Sequence, residues 1–444
     1  MRSLPILLFF LFCGANAQKS EVSPIVYEGD TLDLGQAPIL LSEVVVGSSS
    51  ISAEELIAQT KKVMAKAINQ TANTSLQYFL RHSDIQHVEV DFKLKKSTVS
   101  EIDASFVERL KQSIPSYSSS HLEGLYTTSL TDTTPKVITR FEKGFQLLDE
   151  PSTVAIDDIE DILLGQIERS VAAGHFFKIK SGIFGTKIRE EDIDLDEIRS
   201  ANDSTKNSVP SEEDLKQRHR FASAMGYQRY EEISGYQLYD TDPVIELFEK
   251  PQKFDLQIVD NKWYRDQWVH VVAFRQKSGD EFYGELWINE TDKGLVQFKF
   301  VNNKPVRSIK LLGFSYRIPR VQGQYFYRKL NENYQFFFGR LEKDSEVGVD
   351  RPLSLIEKRK ATFGGKKVNR VDLDINFNLK QTEEFTYIFK NTDENVVLKK
   401  SESISYPVME RLETYPIDFW KDTEFSIAPS EAMKQFKITK PSTK

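Results

Sequence analysis

The chain has 444 residues, 39% hydrophobic and 11% aromatic, enough to bury a sizeable core and a soft indication of about two or three domains. The 30 Phe and 17 Tyr exclude disorder, and 21 Gly with 16 Pro exclude a collagen-like or low-complexity chain. A net charge of −7 argues against a dedicated binder of phosphate backbones, so nucleic acid is not an expected partner.

The chain opens Met1-Arg2-Ser3, runs apolar from Leu4 to Phe12 and reaches Ala15-Asn16-Ala17. These are the positive, apolar and small-residue parts of a secretory signal peptide, residues 1–17, cleaved after Ala17. The run is too short to cross a bilayer, which needs about 20 residues. Cys13, the only cysteine, has a second reading as the acylated cysteine of a bacterial lipoprotein, although Phe12 stands where a small residue is wanted. If Cys13 leaves with the signal, the mature chain has no disulfide, thiolate metal site or cysteine nucleophile. That composition fits the periplasm or outer-membrane surface of a Gram-negative bacterium better than an animal secretory pathway.

Residues 18–50 read as an N-terminal β segment and linker, ending in the β-branched Val44-Val45-Val46 and a Gly/Ser stretch. A capping box, Ser52-Ala53-Glu54-Glu55, then starts a helix whose stripe is Leu56, Ile57, Val63, Met64, Ala67 and Ile68. The period switches to two at Val88, Val90, Phe92 and Leu94, a strand with one wet face. Further helices are predicted around Ile102, Phe106 and Leu110, around Ile159 to Ile167, and from about Ser211 to Gly226. Residues 51–250 thus form a helix-containing α+β region.

Residues 251–405 read almost wholly as strands and turns. Trp268 to Phe274, Glu285 to Ile288, Leu295 to Val301 and Ile309 to Ile318 are strands, and Tyr325–Tyr327 with Tyr334–Phe338 flank a hairpin turn. Val371, Leu373, Ile375, Phe377 and Leu379 alternate strictly with polar residues. Short connections favour antiparallel pairing. Residues 406–444 are a C-terminal tail. The fold class expected is α+β, a large curved antiparallel sheet resembling a half-barrel, with several packing helices.

No catalytic signature accompanies this pattern. The six histidines, His82, His87, His121, His175, His219 and His270, form no zinc motif, and His121-Leu122-Glu123 has the wrong spacing, so structural roles are expected and no metal. Asp192-Ile193-Asp194-Leu195-Asp196 opens like a calcium loop but has Glu197 where the turn needs glycine. Nucleophile elbows, phosphate loops and dinucleotide fingerprints are absent, and no cofactor is expected. Carboxylates abound, which keeps a hydrolase with paired acids open as an alternative.

The compositional oddity is the aromatic density from Trp263 to Phe338. It is read either as the core of a curved sheet or as an apolar groove on its concave face. On the second reading Trp268, Phe274, Trp287, Phe298, Phe300 and Tyr316 contact a lipid, another apolar ligand or an envelope protein.

Leu41-Ser42-Glu43-Val44-Val45-Val46 followed by Ile51-Ser52-Ala53-Glu54-Glu55-Leu56-Ile57, with Asp418-Phe419-Trp420 and Ile427 to Glu431 near the end, resembles exported bacterial proteins containing a carboxypeptidase-regulatory-like domain. The resemblance implies a transthyretin-like sandwich before the helix, for which residues 18–46 supply only the last strands, and implies no peptidase activity. Val271 to Phe274, Gly284 to Asn289 and Leu295 to Phe298 are similar to lipoprotein-carrier half-barrels. The function expected is a non-catalytic exported envelope protein binding an apolar ligand or partner, with a hydrolase or a ligand-free scaffold as alternatives.

Overall fold

The computed structural model describes residues 51–70, 75–131, 136–148, 175–181, 184–188, 211–240, 242–330, 333–359, 366–390, 406–423 and 429–436. The signal segment, the Val44–Val46 run, the helix expected at 159–167 and the acidic loop at 192–196 lie outside these residues.

Four α-helices are described: α1 Ala53–Gln70, α2 Ala104–Ser113, α3 Glu212–Ser234 and α4 Glu431–Gln435. Each start is explained locally. Ser52 Oγ accepts the Glu55 N–H at 3.1 Å, Asp103 Oδ1 accepts that of Phe106 at 2.8 Å, and Ser211 forms a reciprocal box with Asp214. Contrary to expectation, α3 continues eight residues past Gly226. That glycine is no stop signal. A Cβ there would lie 2.2 Å from Cε1 of Tyr126, so its absence lets a sheet tyrosine press against the helix backbone.

The strands are β1 Ser75–Ser97, β2 Tyr117–Thr131, β3 Lys136–Leu148, β4 His175–Ser181, β5 Phe184–Ile188, β6 Phe254–Tyr264, β7 Gln267–Gln276, β8 Phe282–Asn289, β9 Leu295–Asn302, β10 Arg307–Leu311, β11 Phe314–Leu330, β12 Asn333–Arg359, β13 Lys366–Lys390 and β14 Glu410–Leu412. They join in one sheet ordered β14-β3-β2-β1-β13-β12-β11-β9-β8-β7-β6, with β10 beside β11 and the β4–β5 hairpin beside β12. Strands from both sides of residue 250 share this sheet, β1 lying directly against β13. Pairing is antiparallel except that β14 runs parallel to β3.

The strand expected over Ile309–Ile318 is instead a hairpin. Leu312 and Gly313 have φ of 49° and 79°, which reverses the chain between β10 and β11. A Cβ on Gly313 would meet the Asp350 carbonyl oxygen at 2.2 Å, which reserves this position for glycine.

The β1/β13 ladder keeps one register from Gln77↔Lys390 to Leu94↔Leu373, so a single parity assigns every side chain to a face. One face, carrying Tyr78, Leu80, Phe385, Tyr387, Phe298, Phe300 and Tyr325, is covered by α1, α3 and residues 235–250. Ser223 Oγ accepts the Phe141 N–H, Tyr325 Oη donates to the Ile233 carbonyl at 2.9 Å, and Tyr236 stacks on Phe300 at 5.3 Å. Farther along the same face α2 covers Phe92, Leu94, Val371 and Leu373. On the opposite face Phe79, Leu125, Phe145, Leu147, Trp420 and Phe436 form a second cluster. There the buried Glu123 receives Arg81 at 2.6 Å together with Trp420 Nε1.

Candidate functional site

The expected ligand residues do not form one surface. Phe298 and Phe300 are 0% exposed and Phe274 is equally buried beneath the helical cover, so these three are core. Aromatics fill this stretch because the segment after α3 brings its own rings, Tyr236 and Tyr239, onto them. Of the two readings of this stretch, the core reading describes these residues, and the place of the groove is occupied by the chain itself. Trp287 points to the opposite face, half-buried, with Lys262 Nζ 3.6 Å from its ring centroid and its Nε1 donating to Glu285. Tyr316 lies near the far end of β11, opposite Ile309, under the Arg307 guanidinium.

Trp268 is different. It pairs in register with Trp263 across the β6–β7 hairpin, with ring centroids 5.7 Å apart and nearly perpendicular planes. The parity of β7 places Trp268 on the helix-covered face with Val272 and Phe274, yet the cover ends before it. Trp263 is 58% and Trp268 51% exposed. The shift in register at Ile258/Asp260 of β6 brings Trp263 onto the same face as Trp268. Arg265 and Asp266, at φ of 44° and 64°, form the two-residue turn that holds them side by side at the sheet edge.

Between the two covers the same face turns polar. His82, Asp84 and Gln86 of β1 stand opposite Phe385, Glu383 and Gln381 of β13, and the last two stand opposite Lys343 and Ser345 of β12. Lys343 Nζ bridges Glu383 at 3.2 Å and Glu232 of α3 at 3.0 Å. Burial works against its ammonium, but the two carboxylates outweigh it and raise its pKa. Burial likewise opposes ionisation of Glu383. The neighbouring His82 and Lys343 more than compensate and bring its pKa down to about 2. Asp84 accepts from Gln86 and Gln381, while burial raises its pKa.

Arg229 of α3 donates from Nε to His82 Nδ1 at 3.0 Å, which fixes the histidine proton on Nε2. Burial lowers the His82 pKa and favours this neutral tautomer. Chemically the belt is a locked charge network. Lys343 joins Glu232 to Glu383, and Asp84 stands beside Glu383 across the β1/β13 pair. His82 contacts no hydroxyl nucleophile among its described hydrogen bonds. Among the described residues there is no cluster of three metal-ligating side chains, and no helix long and apolar enough to cross a membrane. His121 bonds Ser83 and His175 bonds Glu357, structural positions for both.

Sequence reasoning passed over this belt. Its signal lies in the parity of two strands. The apolar runs Tyr78-Leu80 and Val88-Val90-Phe92-Leu94 are interrupted by His82, Asp84 and Gln86, and β13 is interrupted at Gln381 and Glu383, the positions that pair with them.

No family model matches the chain, and no curated protein matches it significantly. The regulatory-like resemblance thus gains no support, and its Leu41–Val46 strand lies outside the described residues. Solved structures similar to the chain include the LolA superfamily protein NE2245 of Nitrosomonas europaea, at 7% identity and TM-score 0.18, covering 78% of this chain and 96% of that one. MucB of Pseudomonas aeruginosa in its complex with MucA is similar at 8% identity and TM-score 0.16, covering 75% and 94%.

Proposed function

We propose that the chain is a non-catalytic exported envelope protein that engages an apolar ligand or partner surface at the corner of its sheet where Trp263 and Trp268 emerge. The exposure of this pair carries the reading. Indoles are large, mostly apolar and usually buried, and a fixed exposed pair is a ready contact anchor. The rest of the aromatic face is filled by α1, α3 and residues 235–250, leaving this corner as its uncovered continuation.

Tryptophan fluorescence tests this directly. Titration with vesicles of phosphatidylethanolamine and phosphatidylglycerol, or with a nonionic detergent, should give a saturable blue shift as the exposed indoles leave water. Trp263→Ala with Trp268→Ala should abolish the shift while far-ultraviolet circular dichroism stays unchanged. An equal shift in that double variant, arising from Trp287 or Trp420, would remove the corner as the contact site.

A further inference from the structure

Under α3, the sheet presents more polar hydrogens than there are partners to receive them. Tyr78, Tyr126 and Tyr387 sit on the adjacent strands β1, β2 and β13, each 0% exposed, and none of the three hydroxyls has a hydrogen-bond partner. Tyr78 is central, its ring 5.3 Å from Tyr126 and 5.8 Å from Tyr387. Thr139 interacts with Tyr78 and donates its own hydroxyl hydrogen to Thr128 at 3.4 Å. His82 Nε2, the ring nitrogen that carries the proton, is buried and faces the Glu383 carboxylate at 3.4 Å.

Arg229 descends into this group from α3. Its Nε serves His82 and its Nη1 serves the Met225 carbonyl at 3.2 Å, both neutral acceptors. Among the described residues no carboxylate pairs with it, while its positive charge is felt at His82, Tyr126 and Tyr387. A half-buried guanidinium without a counterion, ringed by unpartnered donors, is an unfavourable arrangement that an acceptor of opposite charge corrects. Water would satisfy the hydroxyls and leave the charge uncompensated. The arrangement is also held in place. Tyr126 is clamped between Gly226 of α3 and Gly124 of β2, where added Cβ atoms would lie 2.2 and 2.5 Å from its ring.

We infer that Arg229 and the hydroxyls of Tyr78, Tyr126 and Tyr387 form a buried binding site for a carboxylate or similar small oxyanion between α3 and the sheet. This site is separate from the tryptophan corner and stands or falls without it. The anion accepts from the guanidinium and the phenols together, so it ties α3 to three strands at once.

The test uses the purified full chain, titrated calorimetrically with sodium acetate, sodium phosphate and sodium octanoate at fixed ionic strength. At least one of these should bind saturably at a single site and raise the thermal midpoint. Tyr387→Phe, which removes one oxygen and keeps the ring, should weaken binding about tenfold or more, and Arg229→Gln should abolish it. If Arg229→Gln does not fold, Tyr387→Phe alone decides. Tighter binding of octanoate than acetate bears the site out for a ligand with an apolar tail, and equal binding for a free small anion. Absence of saturable binding by all three, native affinity in Tyr387→Phe, or a crystal structure with water alone on these groups overturns the inference.

Discussion

Gly226→Ala tests how tightly α3 is seated on the sheet. In an open helix this change stabilises by about 1 kcal/mol, because alanine loses less backbone entropy. Here the new Cβ would stand 2.2 Å from Cε1 and 2.4 Å from Cδ1 of Tyr126. The ring has nowhere to retreat. Its other edge lies against Gly124, Tyr78 stacks on it at 5.3 Å and Phe141 meets it edge-on at 5.5 Å. Overpacking of this kind costs about 1–3 kcal/mol, and the closed surroundings put it at the upper end, so the net loss is about 2 kcal/mol. Urea unfolding of the native chain, Gly226→Ala, Tyr126→Leu and the double variant measures it. With the ring gone, Gly226→Ala should turn neutral or stabilising, a coupling of about 3 kcal/mol. A higher urea midpoint for Gly226→Ala in the otherwise native chain would refute the packing described for α3.

Two further outcomes follow from the charge networks. Glu383 has its carboxyl brought from 4.5 to about 2, so it contributes stability above pH 4.5 that is lost as pH falls toward 2. Glu383→Gln should therefore be less stable at pH 7, by on the order of 3 kcal/mol, and the gap should close between pH 4.5 and 2; an unchanged gap at pH 2.5 would contradict this. Arg81→Met should cost about 3–5 kcal/mol because it strands the buried Glu123, and adding Glu123→Gln, which keeps an acceptor for Trp420, should recover most of the loss in the same unfolding assay.

Much of the architecture was legible in the chain. Capping residues Ser52 and Ser211 announce α1 and α3, and the strict alternation from Val371 to Leu379 announces β13 with its correct inward parity. Local pattern misleads where tertiary contact decides. Gly226 looks like a helix terminus until Tyr126 is placed beside it, and Ile309–Ile318 looks like one strand until Leu312 and Gly313 adopt left-handed conformations. The aromatic face was legible as the core of a curved sheet, and burial of Phe274, Phe298 and Phe300 agrees with that reading, but the segment that covers it was not legible. Nothing in Phe274, Phe298 or Phe300 states that Tyr236 and its neighbours will lie across them. Pairings such as Asp84 with Glu383 join residues almost three hundred positions apart, so the belt is visible only as matched polar interruptions whose partnership the chain does not spell out.

The parallel strand β14 bears on the order in which the molecule can be completed. Until Glu410–Leu412 dock, the outer backbone groups of β3 from Phe145 to Leu147 remain an open template, and until Trp420 arrives the Glu123 carboxylate lacks its indole donor. Both gaps are closed by a stretch of scarcely a dozen residues near the end of the chain. A polypeptide shortened ahead of Glu410 would keep every long ladder and still expose a sticky margin, so premature termination there should yield aggregates rather than a slightly weakened monomer.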